Sequence, residues 1–531
     1  MVRRVWLPRR FRPGLALLLA SSLGLAAASL APRPTPQQKP SARGPSAEPA
    51  KPPAETLITP SGLRYGRVLL QGFYWESYRH GLVPGYGQRR WYTIVREQVP
   101  AIAAAGFDLV WLPPPSWAGE RSAGYNPKHY FRLDNSYGTA QQHRALLVAL
   151  LQAGIDPVAD LVLNHRDGER GWADFSNPAW GPWAICASDE AFRQGEAHLA
   201  ATPLQERGAC EESVPYRAAG TLNYPAFRDI AHNDPRVRRD ILRYLLLLRS
   251  YGYRGWRYDM AHGYGGRWIA CYNAATQPTF SVGETDWGAQ GEQRGWIWAS
   301  AGAPPAPGRA LAHLARASSA FDFGTYFQLR QAIPSRQPES LAGWGRGTGL
   351  VGDSTDGLPW RSRAVTFVEN HDTGYRTDDD GQPQPGHQFD SFARGWQVEQ
   401  AYAFLLTHPG LPSVYWKHYF DWGAQLQGRI RALIAARKAA GVHAGSHLQP
   451  LASAPGLYAA RIDGSRGRLY LRLGGSDALW QPRQSGDNQA RPLLRGQGWV
   501  VWLTPTEAAA PAQPLHRSAL PVNAAAACQG F

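Results

Sequence analysis

The chain has 531 residues, 44% of them hydrophobic, and a formal net charge of +15. That length and apolar content support at least one large core and exceed a single compact domain, so two domains with flanking segments are expected. The basic residues are scattered arginines rather than runs interleaved with stacking aromatics, which argues for a solvated basic surface and against a nucleic-acid partner. The four cysteines, Cys186, Cys210, Cys271 and Cys528, lack the close paired spacings of a zinc site.

Residues 1–31 combine Arg3, Arg4, Arg9, Arg10 and Arg12 with an apolar Ala- and Leu-rich run and small residues near Ala26, the pattern of a signal peptide. The run is short and small-sided for a membrane span, so no stable membrane association is expected after cleavage; an uncleaved anchor is the alternative. Residues 32–60 are rich in Pro and Ala and read as a flexible linker, and residues 506–531 as a disordered tail. An exported chain, secreted or periplasmic, also permits a disulfide between Cys186 and Cys210.

Between these ends, residues 61–444 alternate short buried-type strands with longer helical stretches. The strand candidates run over 68–72, 107–113, 156–163, 253–259, 279–284, 319–323, 364–369 and 411–416. Eight strands of this kind close a (β/α)8 TIM barrel, and amphipathic stretches at 237–250 and 397–407 suit its outer helices. Residues 166–232 separate the third strand from its helix by far more than an ordinary loop, so an inserted subdomain is expected there. After a helix at 430–440 the pattern changes to alternating segments at 456–462, 468–473 and 498–503, and residues 445–505 read as a small C-terminal antiparallel β domain. The fold class is α/β with this β appendage.

Polar and ionisable residues cluster at the C-terminal ends of the strand candidates: Asn164 and His165, Arg257 and Asp259, Glu284, then Asn370, His371 and Asp372, with Tyr125 in the loop after the second strand. A lone strand-end acid is as readily a turn or capping group, and a lone His or Tyr a packed core residue. Strands buried on both faces should end in apolar or turn residues, so charge at several ends points to one shared site.

Here the sequence resembles the α-amylase family of glycoside hydrolases over residues 69–503. The motifs are DLVLNH (160–165), GWRYDMAHG (255–263), GET (283–285) and FVENHDT (367–373). Further stretches, QGFYWES (71–77), LTHPGLPSVYWKHYFDWG (406–423) and RKAAGVHAGS (437–446), are similar to plant-type and maltotetraose-forming bacterial amylases. The resemblance implies retaining endo-hydrolysis of α-1,4 bonds in starch-like α-glucans, with Asp259 as nucleophile, Glu284 as proton donor and Asp372 as the third carboxylate. Retention needs one ionised and one protonated carboxyl across the scissile bond. Arg257, two residues before Asp259 on one strand, faces the same side and favours the ionised nucleophile.

By the same resemblance His165, His371 and Tyr125 contact one sugar, and a calcium ion is held by Asn164, Asp229 and the Gly263 carbonyl, with Asp189 a weaker ligand. A capping or turn role is the plainer reading of Asp229. One departure stands out: relatives carry Lys then His or Gly after the nucleophile motif, whereas this chain has His262 then Gly263, which places an imidazole where leaving-group sugars are contacted. A maltotetraose-forming exo-enzyme, transglycosylation and a non-catalytic glucan-binding protein are the alternative functions. The last should have lost a carboxylate, and all three are present. A monomer is expected.

Overall fold

The computed structural model describes residues 66–505 except 84, 170–173, 187–227, 286–289, 344–348, 353–356, 378–382, 385–391 and 393. The expected signal peptide, linker and tail, Asp189, and most of the expected insertion lie outside the described residues.

The chain enters at β1 (Leu69–Gln71) and crosses through α1 (Trp91–Ala104) to β2 (Leu109–Leu112), then through α2 (Ala140–Gln152) to β3 (Asp156–Leu161). Two short strands follow, β4 (His165–Arg166) and β5 (Arg228–Asp229), which pair antiparallel with His165 opposite Asp229. The βα alternation resumes with α3 (Pro235–Tyr251), β6 (Gly255–Tyr258), α4 (Gly266–Thr276), β7 (Phe280–Gly283), α5 (Gln290–Ala299), α6 (Ala310–Leu314), β8 (Ser319–Phe321), α7 (Phe323–Ala332) and β9 (Ala364–Phe367). A two-stranded ribbon, β10 (Arg376–Thr377) and β11 (Pro383–Gln384), precedes α8 (Gly395–Thr407), β12 (Leu411–Tyr415) and α9 (Ala424–Ala440).

Strands β1, β12, β9, β8, β7, β6, β3 and β2 neighbour one another in that order around a closed barrel, and every pair is parallel. All eight expected strand segments lie in it. They are legible because a parallel strand covered on both faces is largely apolar, and Leu69, Leu70, Leu109, Val110, Val282 and Val365 are each fully buried. The helices are one-sided by the same logic. In α3, Val237, Ile241, Leu245 and Leu248 recur at turn spacing and are buried, Pro235 sits where a missing N–H costs nothing, and the Asp234 carboxylate accepts from the Arg236 amide at 2.8 Å. The cap of this helix is therefore Asp234, not Asp229.

The C-terminal sheet has five antiparallel strands in the order β13 (His447–Ala454), β14 (Leu457–Asp463), β15 (Gly467–Gly474), β17 (Trp499–Pro505), β16 (Arg491–Gly496). The three central strands are the alternating segments seen in the sequence. One face of the sheet, with Leu469, Leu471, Leu473 and Val501, continues the barrel core, and the Trp499 indole donates to Glu399 of α8 at 3.0 Å.

Gly283 closes β7 immediately before Glu284, and a Cβ there would fall 2.3 Å from the Trp296 ring, which is 1% exposed and cannot retreat. Gly283→Ala should therefore displace the end of β7 and lower stability by roughly 1–3 kcal/mol. Denaturant unfolding measures this, and an unchanged midpoint would show that the indole yields.

Candidate active site

The barrel register brings the first four members of the site, Asp160, Arg257, Asp259 and Glu284, together. Asp160 of β3 stands opposite Arg257 of β6, and Arg257 opposite Val282 of β7. Side chains alternate along a strand, so Asp259, two residues on from Arg257, and Glu284, two on from Val282, reach the same rim of the barrel at the same level. The backbone fixes both: the Asp259 amide donates to the Leu161 carbonyl at 3.0 Å, and the Glu284 amide to the Tyr258 carbonyl at 2.9 Å.

One guanidinium joins three carboxylates. Arg257 Nη1 lies 2.6 Å from Asp160 Oδ1 and 2.7 Å from Asp259 Oδ1, and its Nη2 lies 2.7 Å from Glu284 Oε2. Arg257 is 1% exposed, and Asp160, Asp259 and Glu284 are no more than 5% exposed. Glu284 Oε2 also accepts from the Met260 amide at 3.2 Å, and Met260 holds a left-handed backbone (φ +40°) that a side chain other than glycine rarely adopts. Such strain directly after Asp259 persists only where its surroundings enforce it, here through the Ala261 amide on the Glu284 carbonyl at 2.8 Å.

Burial pushes the Asp259 carboxyl well above the usual carboxylate range; Arg257 opposes that shift, while Glu284 and Asp160 add to it. Asp372 is pushed up to about 8, by burial first and then by Glu284. Protons in such a cluster belong to the group rather than to one residue.

Asp160, the first residue of the DLVLNH motif and inside a strand rather than at its end, is the hidden member. Its carboxylate is fully buried and accepts from Trp111 Nε1 at 3.0 Å and Tyr125 Oη at 2.8 Å besides Arg257. Tyr125 thus owes its position to Asp160. Its ring lies within 10° of parallel to His371 at a centroid distance of 5.2 Å, and within 2° of parallel to Trp75 at 5.8 Å. Three near-parallel rings thereby stand beside the carboxylates. Trp75 was not singled out in the sequence, where 21 tryptophans offer no means of choosing.

Each histidine has a hydrogen-bonding partner that sets its tautomer. His165 Nε2 donates to the Tyr125 carbonyl at 2.7 Å, and burial lowers its pKa to about 4, so the ring is neutral. Gln71 Nε2 donates to His371 Nδ1 at 2.9 Å, leaving the protonated Nε2 3.4 Å from Asp372 Oδ2. His262 is buried with Nδ1 3.3 Å from the Glu284 carbonyl oxygen, which brings it to the same rim.

The expected calcium residues also meet. Asn164 Nδ2 donates to Asp229 Oδ1 at 3.0 Å, and the Asn164 carbonyl accepts from the Ile230 amide at 2.8 Å. Asn164 Oδ1 is buried without a hydrogen-bond partner, and a Cβ on Gly263 would stand 2.0 Å from it. Among the described residues no three His, Cys, Asp or Glu side chains converge as a metal cluster. Cys186 and Cys271 are both disulfide-bonded; Cys210, the expected partner of Cys186, lies outside the described residues.

Residues 92–276 match the family model described as "Alpha amylase, catalytic domain", and residues 439–503 match "Alpha-amylase C-terminal beta-sheet domain". The chain is 30% identical over 458 residues to "Probable alpha-amylase 2" of Arabidopsis thaliana, covering 83% of this chain and 95% of that one. It is 31% identical to a "Glucan 1,4-alpha-maltotetraohydrolase" of Roseateles saccharophilus, over 78% of this chain and 69% of that one. Among solved structures, a cyclic α-maltosyl-(1→6)-maltose hydrolase from Arthrobacter globiformis superposes with a TM-score of 0.52 at 17% identity, covering 78% of this chain and 89% of that one, a likeness of fold.

The raised Asp372 carboxyl has a thermodynamic signature. The folded state holds a proton there that the unfolded state releases near pH 4, so the stability it contributes is full below about pH 4 and is lost as pH rises towards about 8. Asp372→Asn should flatten the fall in stability between these limits. Denaturant midpoints measured across that range test this, and parallel profiles for the two proteins would refute it.

Proposed function

The chain belongs to the α-amylase family of glycoside hydrolases, and on that premise we propose that it is a retaining, endo-acting α-amylase cutting α-1,4 bonds in starch-like α-glucans. The observation that carries this reading is the shared guanidinium: Arg257 draws Asp259 and Glu284 to its two terminal nitrogens, each at 2.7 Å. Two carboxyl groups so close suit attack and protonation across one glycosidic bond.

In this mechanism a carboxylate oxygen of Asp259 bonds to the anomeric carbon while the bond to the leaving sugar oxygen breaks. Glu284 gives its proton to that oxygen. The resulting glycosyl ester is then hydrolysed by water whose proton returns to Glu284, and the Asp259 carboxylate departs, so configuration is restored by two inversions. Asp372, able to donate as well as accept when protonated, binds hydroxyls of the same sugar. His165 and His371 hydrogen-bond the ring hydroxyls, Tyr125 presents its face to the apolar side of the ring, and His262 meets the leaving-group sugars. A surplus of carboxylates over the single guanidinium keeps a proton within the cluster before substrate arrives.

The similarity to a maltotetraose-forming relative supports a second reading, exo-action with maltotetraose as the main product. A time course of products from soluble starch separates the two. A spread of malto-oligosaccharides with early viscosity loss is expected, and maltotetraose alone from the first minutes would favour the second. In the same assay Glu284→Gln should lower kcat by about 10²–10⁴-fold while glucan binding persists. Retained turnover would end the assignment of Glu284.

The residues at the base of the insertion fit a calcium ion: an unpaired buried amide oxygen on Asn164, the Asp229 carboxylate beside it, and Gly263 against them. All are hard oxygen donors or compatible with one. A bound ion would tie the return of the insertion to the barrel and leave the carboxylate chemistry untouched. Calcium should raise Tm and chelator lower it, by roughly 2.7 kcal/mol of stability at a hundredfold excess over Kd. Identical melting curves in calcium and in chelator would exclude the site.

We read the protein as exported, on the basic and apolar pattern of residues 1–31, and as a monomer. Among the described residues no helix is long and apolar enough to cross a membrane.

A further inference from the structure

After β12 the chain does not enter α9 directly. It makes a π-helical turn over Lys417–Asp421, a rare geometry that rotates consecutive side chains out of the usual helical spacing. Its first two residues, Lys417 and His418, reach opposite ends of the segment that carries Asp372.

His418 is fully buried. Its Nε2 lies 3.1 Å from Glu369 Oε2 and its Nδ1 2.9 Å from Tyr402 Oη, while Glu369 Oε1 accepts from the Phe392 amide at 2.6 Å. Glu369 immediately precedes Asn370. Lys417 Nζ donates to the Tyr375 carbonyl at 2.6 Å and to Glu76 Oε2 at 3.0 Å, with the Tyr74 ring 4.5 Å away. Tyr375 immediately follows Gly374. Between these two anchors the segment is tied to itself: Asn370 Oδ1 accepts from the amides of Asp372 and Thr373 at 2.9 and 3.0 Å, and the Gly374 amide returns to the Asn370 carbonyl at 2.8 Å. It also lies flush on β12, since a Cβ at Gly374 would be 2.6 Å from the Tyr415 ring.

Packing alone does not call for these groups. The Lys417 side chain is only 15% exposed, and desolvation lowers its ammonium pKa, so a Met of similar length would fill the space without that cost. Lys417 supplies directed donors to a specific carbonyl and a specific carboxylate. Through Glu76, the neighbour of Trp75, it also ties the segment after β9 to the wall formed after β1.

We propose that this π-turn is a clasp in which Lys417 and His418 are positioning residues: by gripping residues 369 and 375 they set the Asp372 carboxylate at the height where it meets the reacting sugar, without touching substrate themselves. The proposal rests on the reading of Asp372 as the third carboxylate. A group that meets the sugar most strongly in the transition state should report its misplacement in kcat rather than KM.

The test uses the full chain in four forms: wild type, Lys417→Met, Asp372→Asn and the double variant, with Lys417→Arg as the conservative rescue. Lys417→Met should lower kcat on soluble starch by roughly tenfold to a hundredfold, with KM within about twofold and far-UV circular dichroism unchanged. Lys417→Arg should restore most of kcat, because its fork also reaches two acceptors. In the Asp372→Asn background, Lys417→Met should cost less than about threefold more, because both changes act through one group. Equal losses in both backgrounds, a rise in KM alone, or full activity of Lys417→Met overturns the clasp. Wild-type kcat in Asp372→Asn instead overturns the underlying reading of Asp372. Should Lys417→Met fail to fold, Lys417→Gln, whose amide reaches only one acceptor, is held to the same criteria.

Discussion

The arrangement of the site depends on a buried cation. Arg257 sits inside the barrel rim at 1% exposure with three carboxylates on its terminal nitrogens. Taking out one partner of a buried ion cluster typically costs about 3–5 kcal/mol, because the groups left behind remain desolvated and charged. The acids are thus held by a donor that cannot lose its proton under any ordinary condition. Asp160 makes the arrangement directional: it occupies one side of the guanidinium, fixed in turn by Trp111 and Tyr125, so that the rest of the fork faces Asp259 and Glu284.

Around this pair the barrel supplies distance control of a kind that loops alone do not. Asp259 and Glu284 stand at the ends of adjacent strands whose register is locked by the ladder, whereas Asp372 stands on a turn beyond Phe367, the last residue of β9 paired in the ladder. That difference in support explains why the turn is so heavily bonded, internally through Asn370 and externally through Glu369 and Tyr375. Precision that a sheet gives without further support must be built elsewhere from side chains.

The strands of the barrel were legible in the sequence because burial on both faces leaves them mostly apolar, and the strand-end residues Asn164, Asp259, Glu284 and Asp372 were conspicuous against that background. The sheet's outer strands were not. β13 carries Pro450 and a register shift and is mostly exposed or half-buried, and β16 carries Pro492 and likewise has no fully buried residue, so neither shows the alternation that reveals a strand with one covered face. Asp160 was hidden for the opposite reason: placed within a strand rather than at its end, its charge is explained only by Arg257 on the neighbouring strand, a partner 97 residues away. Lys417 gave no signal at all, because its role depends on a π-turn that periodicity does not encode.

The short rung between His165 and Asp229 separates two design problems. The chain leaves the barrel at His165 and Arg166 and comes back at Arg228 and Asp229 through that pairing, next to Asn164 and to His165's bond to the Tyr125 carbonyl. The entropy of closing a loop rises only logarithmically with its length, so added residues between the two strands cost little, but Phe175, Trp180 and Ile185 are buried in the main core and the Trp180 indole donates to Asp240 at 3.0 Å, so this stretch is also held by packing. Length can thus vary beyond the rung while the residues nearest it stay fixed, since the same stretch that returns at Asp229 meets Asn164 and is packed into the core beside the strand ends.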